Sequence, residues 1–152
     1  MLYFIVLAVL VAIDQVIKRW AYVSLRPIGS MTVIDGLLNL TYLQNQGAAF
    51  GIMYGARWIL TVLVLGILAY LFIYFRKLPN TGLHRYLRWS IVLIAAGGLG
   101  NVIDRVVLGF VIDYLQVTFI NFPVFNFADI LIVVGAIGFG LLSTFFIKEE
   151  EA

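Results

Sequence analysis

The sequence predicts an all-α membrane protein with four spanning helices, a small β element and an interfacial segment on the outer face. Composition is the first observation: of 152 residues, 63% are apolar and 12% are charged. A soluble domain averages about 45–50% apolar residues and about 25% charged residues. The second observation is a set of four apolar windows, each close to the roughly 20 residues that a spanning helix needs. Lipid must therefore solvate most of the chain, whose length fits one integral membrane domain over residues 1–152.

The predicted spans cover about residues 2–23, 58–75, 86–108 and 127–147. The first and third contain several ionisable residues, which are costly at membrane depth and therefore indicate function. The apolar start of the chain has no basic region before it and no small-residue cleavage site after it. We therefore expect a retained first span rather than a secretory signal.

Lys and Arg in the short loops predict the orientation of the spans. The loop between the second and third windows carries Arg76, Lys77, Arg85 and Arg88, whereas residues 106–125 contain neither Lys nor Arg. The basic loop is expected in the cytoplasm. An even number of spans then places both termini there as well.

Two outer loops are expected, at about residues 24–57 and 109–126. In the first, residues 31–44 alternate between apolar and polar side chains beside Asp35-Gly36, a pattern typical of a β-hairpin. An irregular interfacial loop is the alternative. The second loop is rich in aromatic residues, which suit the level of the lipid headgroups.

This topology brings the acidic side chains of the spans towards the outer face. Asp14 and Lys18 are four residues apart with the acid first, the favourable order for an ion pair within a helix. Asn101 and Asp104 share one face of the third span. Purely structural roles remain open: Asp14 and Lys18 would hold the first helix, and Asp104 would brace its neighbour Arg105.

Small residues predict how the spans pack. The glycine run that begins at Gly97 allows a neighbouring helix to approach closely. On the fourth span we expect the face of Asp129 to be the packed one, because it also carries Ala136 and Gly140. Taken alone, Asp129 would equally serve to favour the dipole of its helix.

Two neighbouring carboxyl groups give acid–base chemistry without a metal or a thiol. Their repulsion raises the pKa of one of them, so that the pair shares a proton near neutral pH. The ionised group can take a proton from water, and the protonated group can polarise a carbonyl. Asp113, just beyond the third span, and Asp129 are the natural pair. The chain has no cysteine and a single histidine, His84, which excludes thiol nucleophiles and disfavours histidine-based sites.

Five motifs follow one another along the chain. They are DQVIK from Asp14, NQGAAF from Asn45, GGLGNVIDR from Gly97, GFVIDY from Gly109 and FNFAD from Phe125. In length, four-span layout and motif order, nearly the whole chain resembles bacterial lipoprotein signal peptidase, or signal peptidase II, a family of intramembrane aspartic peptidases. One departure is Ile130, where relatives often carry a small or polar residue, and it puts the local packing at that helix start in doubt.

The resemblance implies removal of the signal peptide from prolipoproteins whose cysteine carries diacylglycerol, with the cut just before that cysteine at the outer interface. It also implies a bacterial inner-membrane enzyme, in contact with membrane lipid, monomeric, without metal or organic cofactor, and inhibited by globomycin-type cyclic peptides. The implied catalytic residues are Asp113 and Asp129. The implied substrate-binding or supporting residues are Asp14, Lys18, Asn45, Gly97, Asn101, Asp104, Arg105, Asn126 and Ala128.

Two other classes of protein remain open at this point. A small proton-coupled transporter would also carry Asp, Lys and Arg within the membrane, but transporter sites tend to lie near the midplane, with broken helices and a repeat. A structural or assembly protein would not need several carboxylates on one face. The net charge of +2 is too small to indicate nucleic acid as a partner.

Overall fold

The computed structural model describes residues 1–47 and 55–146. Parts of two predictions, the NQGAAF segment beyond residue 47 and the charged tail after residue 147, lie outside the described residues. The four helices are α1 Leu2–Trp20, α2 Arg57–Lys77, α3 His84–Val107 and α4 Phe127–Leu141. Short π-helical segments extend α1 over Ala21–Leu25 and α4 over Leu142–Phe146. Within a few residues, these helices coincide with the four predicted windows.

Within the described part of the chain, three helical segments are long and apolar enough to cross a membrane: Arg57–Lys77, His84–Val107 and Phe127–Thr144. Helix α1 has a similar length but carries Asp14, Lys18 and Arg19. The protein is therefore a mostly helical membrane protein. The stability of α1 in the membrane depends on how its charges are neutralised.

Helix α3 is the centre of the bundle and packs against each of the other three helices. It has eleven buried residues, whereas α2 has four and α4 has three. Glycines permit these contacts: Gly97 lies against the backbone of Ala128 in α4, and Gly98 lies against Leu68 in α2. The close approach predicted at the glycine run is confirmed.

The packed face of α4 differs from the predicted one. Ala136 and Gly140 are exposed, and among the described residues no atom lies within 4 Å of a Cβ built at Gly140. Gly135 is buried instead, and its Cβ would lie 2.7 Å from the carbonyl oxygen of Ser90 in α3. The prediction is wrong because small residues occur on both faces of this helix, so their spacing alone does not select the face that meets α3.

A three-stranded antiparallel sheet, ordered β1-β2-β3, covers one end of the bundle. Its strands are β1 Ser30–Ile34, β2 Leu38–Asn45 and β3 Val111–Val117. The predicted hairpin is confirmed by β1 and β2, and Gly36 in the turn has a φ of +67°, which favours glycine. Strand β3 lies in a segment predicted as an outer loop. Its first four residues are all buried, so it lacks the alternation of a half-buried strand.

The sheet is fixed to the bundle by a small apolar core. Ala21 and Leu25, which follow α1, pack with Ile112 and Tyr114 of β3. After α3 ends, Gly109 with a φ of +90° turns the chain into β3. The end of α1, the end of α3, the start of α4 and the sheet therefore meet in one region.

Candidate active site

A buried ion cluster joins α1 to α3 below the sheet. The Nζ atom of Lys18 lies 2.9 Å from Oδ2 of Asp14 and 3.1 Å from Oδ2 of Asp104. The exposed fractions of the three residues are 1%, 0% and 2%, respectively. Charges buried so completely are tolerated only when they are paired and hydrogen-bonded. The predicted pair of Asp14 and Lys18 is confirmed, and Asp104 joins it.

The predicted brace between Asp104 and Arg105 is wrong. Asp104 Oδ2 accepts a hydrogen bond from the backbone N–H of Ile112 at 3.0 Å, whereas Arg105 Nη2 donates to the carbonyl oxygen of Gly47 at 3.1 Å. Consecutive residues of a helix point in different directions, so neighbours in sequence are poor partners. Asp104 therefore ties α3 to β3, and Arg105 ties α3 to the segment that follows β2.

Gln15 is a member of this cluster that was not predicted as a site residue. Its Nε2 lies 3.2 Å from Asp14 Oδ2, 3.1 Å from Asp104 Oδ1 and 3.2 Å from the carbonyl oxygen of Gly100. The feature of the sequence that could have identified Gln15 is its side-chain amide, which lies next to Asp14 in a predicted membrane span. Gln15 holds both carboxylates against the backbone of α3.

Asn101 carries the cluster towards the fourth helix. Lys18 Nζ donates to Asn101 Oδ1 at 2.8 Å, and Asn101 Nδ2 donates to Asp129 Oδ1 at 2.8 Å. Asn101 Oδ1 also accepts from Asn126 Nδ2 at 3.3 Å. Because an ammonium group has no acceptor, Lys18 requires the oxygen end of the Asn101 amide to point towards it, and Asn126 supports the same orientation. The N–H₂ end of Asn101 is thereby directed at Asp129.

Asp129 is held by the first turn of α4. Asn126 is the N-cap residue: its Oδ1 accepts from the backbone N–H of Asp129 at 3.0 Å, and Asp129 Oδ2 accepts from the backbone N–H of Asn126 at 3.1 Å. This reciprocal arrangement is a capping box. With Asn101 on the other oxygen, each carboxyl oxygen of Asp129 faces a fixed donor. Its position at a helix N-terminus is the predicted one.

Asp113 is held by strand β3 rather than by the turn after Gly109. It lies opposite Leu43 of β2 and is 1% exposed. Its Oδ1 accepts from Asn126 Nδ2 at 2.6 Å, and its Oδ2 accepts from Asn45 Nδ2 at 2.9 Å. Burial, and then the charge of Asp129, raise the pKa of Asp113 to about 7. The site thus contains a carboxyl group poised to hold or release a proton near neutral pH.

Asn126 connects the two aspartates and places them on one cavity. Its side chain donates to Asp113, and its backbone N–H donates to Asp129. Both aspartates line a cavity of about 270 Å³, hereafter the dyad cavity. Its other lining residues are polar on one side and apolar on the other: Asn45, Asn101 and Arg105, and then Val111, Phe122, Pro123, Val124, Phe125, Ile132 and Val133. This lining suits an extended peptide with apolar side chains.

Tyr114 supports the start of α4 and was not predicted. It is 4% exposed, and its hydroxyl oxygen accepts from the backbone N–H of Phe127 at 3.1 Å. Burial raises the pKa of the phenol above its ordinary value, so it stays protonated at neutral pH. Tyr114 follows Asp113 in β3 by one residue and therefore fixes β3 against the helix that carries Asp129.

The remaining predicted residues join the same region. Ala128 is fully buried and its backbone N–H donates to Asp14 Oδ1 at 3.2 Å, while Gly97 lies against the Ala128 carbonyl group. Ile130, the departure from the family pattern, is 38% exposed and lies away from these contacts. The structure therefore brings every predicted site residue into one connected region.

Two carboxyl groups that line one cavity at the sheet end of a membrane helix bundle have an arrangement suited to aspartic peptidases. Residues 6–146 match the family model described as signal peptidase (SPase) II, peptidase family A8. The chain belongs to the signal peptidase II family. It is an aspartic peptidase of the bacterial membrane that cleaves the signal peptides of prolipoproteins.

Relatives share most of the chain. The lipoprotein signal peptidase of Clostridioides difficile (strain 630) is 39% identical over 147 residues, which is 96% of this chain and 97% of that protein. The lipoprotein signal peptidase of Streptococcus thermophilus (strain CNRZ 1066) is 40% identical over 145 residues, covering 93% and 90%. A bacterial membrane enzyme solved by the in meso method at 2.3 Å resolution is 30% identical, with a TM-score of 0.86 over 99% of this chain and 91% of that one.

Replacing Gly97 with Ala is expected to separate α3 from α4. The added Cβ would meet the carbonyl oxygen of Ala128 and lie 2.8 Å from Ile132 Cγ1. Such overpacking costs about 1–3 kcal/mol, and it displaces the helix start that carries Asp129. We expect a lower melting temperature in detergent and reduced cleavage. Gly66→Ala is the matched control, because no described atom lies within 4 Å of its Cβ; an equal loss in both variants would contradict the packing role of Gly97.

Proposed function

We propose that Asp113 and Asp129 are the catalytic pair and that they cut the peptide bond just before a diacylglyceryl-modified cysteine at the outer membrane interface. The observation that carries this proposal is the bridge through Asn126, which turns both carboxyl groups towards the dyad cavity. Their different supports, a strand and a helix N-terminus, give two carboxyl groups with different environments. Such a difference allows one acid and one base to operate at the same pH.

Asp113 is the member that holds the proton. Its burial and the nearby charge of Asp129 place its pKa at about 7. Asp129 accepts hydrogen bonds on both oxygens, from Asn101 and from the backbone of Asn126. Near neutral pH, Asp113 is therefore the member of the pair that gives its proton to the substrate, and Asp129 is the member that acts on water.

Hydrolysis then proceeds by transfer of protons between the two carboxyl groups, water and the substrate. Asp129 takes a proton from water as the water oxygen attacks the scissile carbonyl carbon, and Asp113 gives its proton to the carbonyl oxygen. The resulting diol collapses when Asp129 gives its new proton to the amide nitrogen and Asp113 takes one from a hydroxyl group. The C–N bond breaks, the products are a carboxylic acid and an amine, and both aspartates return to their starting states.

The surroundings of the dyad cavity fit a signal peptide that unwinds at its cleavage site. A helix in lipid has satisfied its own backbone hydrogen bonds, so unwinding requires polar groups that replace them. Asn45, Asn101 and Arg105 line the cavity beside the aspartates and would provide such groups. Val133 lines the other side and is 55% exposed, so the cavity opens towards lipid, where the diacylglyceryl chains would remain. A globomycin-type cyclic peptide would occupy the same space.

The basic residues support an orientation with the sheet and the dyad cavity outside. Arg76 and Lys77 end α2, and Arg85 lies in the first turn of α3, at the ends of these helices opposite to the sheet. An excess of Lys and Arg marks the cytoplasmic side of membrane proteins. With α1 as a fourth span, both termini lie in the cytoplasm. Both aspartates and their partners come from one chain, which supports a monomer as the active unit.

The cut itself can be located with purified enzyme in detergent, without any ion gradient. The substrate is a preprotein with a diacylglyceryl-modified cysteine, and the control is the same preprotein with serine at that position. We expect mass spectrometry to show a cut immediately before the modified cysteine and an intact control. A cut at another bond, or equal cleavage of the control, would contradict the proposed specificity.

The rate of cleavage is expected to fall as the pH rises through about 7. Above the pKa of Asp113, which is raised to about 7, Asp113 has lost the proton that it gives to the carbonyl oxygen. The hydrogen bond from Asn45 lowers this pKa because it stabilises the anion. Asn45→Ala should therefore move the alkaline limb of kcat to higher pH. An unchanged limb would assign it to a group other than Asp113.

A further inference from the structure

A second cavity lies between α1 and α3 and has a volume of about 240 Å³. Its lining combines polar and apolar side chains, among them Gln15, Lys18 and Asp104, and Ile103, Val107 and Leu108. Among the described residues, none lines both this cavity and the dyad cavity. Val107 is 73% exposed, so the second cavity opens on the outer surface of the bundle, which faces lipid.

Two arginines meet at Tyr22, a residue that lines this cavity. Arg19 lines the cavity, and its Cζ lies 5.8 Å from the centre of the Tyr22 ring. The Cζ of Arg26 lies 4.9 Å from the same ring, and its Nη1 donates to the Tyr22 hydroxyl at 2.7 Å. Both arginines are exposed. Within residues 1–47 and 55–146, no carboxylate oxygen lies within 4 Å of either guanidinium group.

These arginines are unusual for their position. In the proposed orientation they lie at the outer headgroup level, where Lys and Arg are depleted in membrane proteins. The carboxylate in the cavity lining does not neutralise the charge of these arginines, since Asp104 is paired with Lys18 at 3.1 Å. Their positive charge is therefore available to an external anion.

The residues of the second cavity and the two arginines beside it indicate which kind of anion binds. Guanidinium groups bind phosphate through paired, charge-assisted hydrogen bonds. The apolar residues of the lining, with the exposed Val107 among them, suit a hydrocarbon chain. A free phosphate would leave these apolar residues without a partner. Tyr22, with a ring against both arginines, is typical of the level between headgroup and acyl chain.

We propose that the groove between α1 and α3 binds an anionic phospholipid, with its phosphate at Arg19 and Arg26, its glycerol region in the cavity and an acyl chain along Val107. The lipid is bound from the leaflet that surrounds the sheet end of the bundle. This site is separate from the dyad cavity and does not depend on the catalytic assignment.

Lipid binding can be measured by native mass spectrometry of the enzyme in detergent, titrated with phosphatidylglycerol or phosphatidylcholine. Wild-type enzyme should bind phosphatidylglycerol in preference to phosphatidylcholine. The double variant Arg19→Gln/Arg26→Gln should bind phosphatidylglycerol about five- to tenfold more weakly, as the loss of charge-assisted contacts predicts. Both proteins should cleave a lipidated preprotein equally in detergent that contains no anionic lipid, which separates this proposal from the catalytic one.

Arg85→Gln is the matched control, because Arg85 is also exposed and also lies over a tyrosine ring, 5.4 Å from the centre of Tyr86, but at the opposite end of the bundle. It should retain the preference for phosphatidylglycerol. Equal binding of the two lipids by wild-type enzyme, or equal weakening in Arg85→Gln, would overturn the site. Displacement of the lipid by inorganic phosphate alone would overturn the assignment of a lipid and indicate an anion site.

Discussion

Asp129→Asn and Asp113→Asn are each expected to reduce cleavage of a lipidated preprotein by at least about a thousandfold, the scale of a lost general acid or base. Asparagine keeps the shape of the side chain and one acceptor oxygen, but it neither takes a proton from water nor gives one to a carbonyl group. The capping box of Asn126 needs an acceptor at position 129, which asparagine supplies. The helix start should therefore persist while the chemistry stops, as turnover and melting temperature in detergent would show together.

Asp35→Asn provides the control for a general effect of removing a carboxylate. Asp35 lies in the exposed turn between β1 and β2, away from the dyad cavity, and this variant should cleave at the wild-type rate. Undiminished cleavage by a folded Asp129→Asn or Asp113→Asn protein would remove the aspartic mechanism. A loss of folding in both variants would leave turnover uninformative, and binding of a globomycin-type peptide would then report whether the cavity is intact.

Hydropathy predicted the helices because crossing a membrane requires long apolar segments whatever their tertiary contacts. The hairpin of β1 and β2 was predictable for a local reason, since Asp35-Gly36 favours a tight turn between alternating strands. Strand β3 was missed because Val111 to Tyr114 are buried on both faces. A short apolar run with an aspartate at its third position has no period that separates a strand from a loop.

The predicted site residues came from their motifs and from the depth that the spans assign to them, and the structure brings them together in one region. Apart from the pair of Asp14 and Lys18, their partners were not predicted, because partners depend on helix rotation. Asp104 could not be assigned to Lys18 and the N–H of Ile112 without knowing which side of α3 faces α1. Likewise, the small residues of α4 predicted a packed face but did not distinguish Gly135 from Gly140. Gln15 was overlooked because a single amide between Asp14 and an apolar run is a weak signal by itself.

Lys18→Met is expected to destabilise the protein by about 3–5 kcal/mol, the cost of breaking a buried ion pair by removing one partner. Methionine has nearly the same length, so the main change is electrostatic: Asp14 and Asp104, both almost fully buried, lose the ammonium group between them. Asn101 Oδ1 also loses the shorter of the two hydrogen bonds that orient its amide towards Asp129. We expect a large fall in melting temperature, and about a hundredfold lower turnover in the folded fraction, since small displacements of catalytic groups cost about that much.

A second substitution separates these two effects. In Lys18→Met/Asp104→Asn, one of the unpaired carboxylates is removed, so part of the lost melting temperature should return. Turnover should not return with it, because Asn101 Oδ1 keeps only the longer hydrogen bond, from Asn126 Nδ2 at 3.3 Å. Lys77→Met, at the exposed end of α2, controls for loss of a lysine and should change neither quantity. Recovery of turnover in step with stability would show that Lys18 acts through folding alone, and the orientation of Asn101 by Lys18 would then have no part in how Asp129 is positioned.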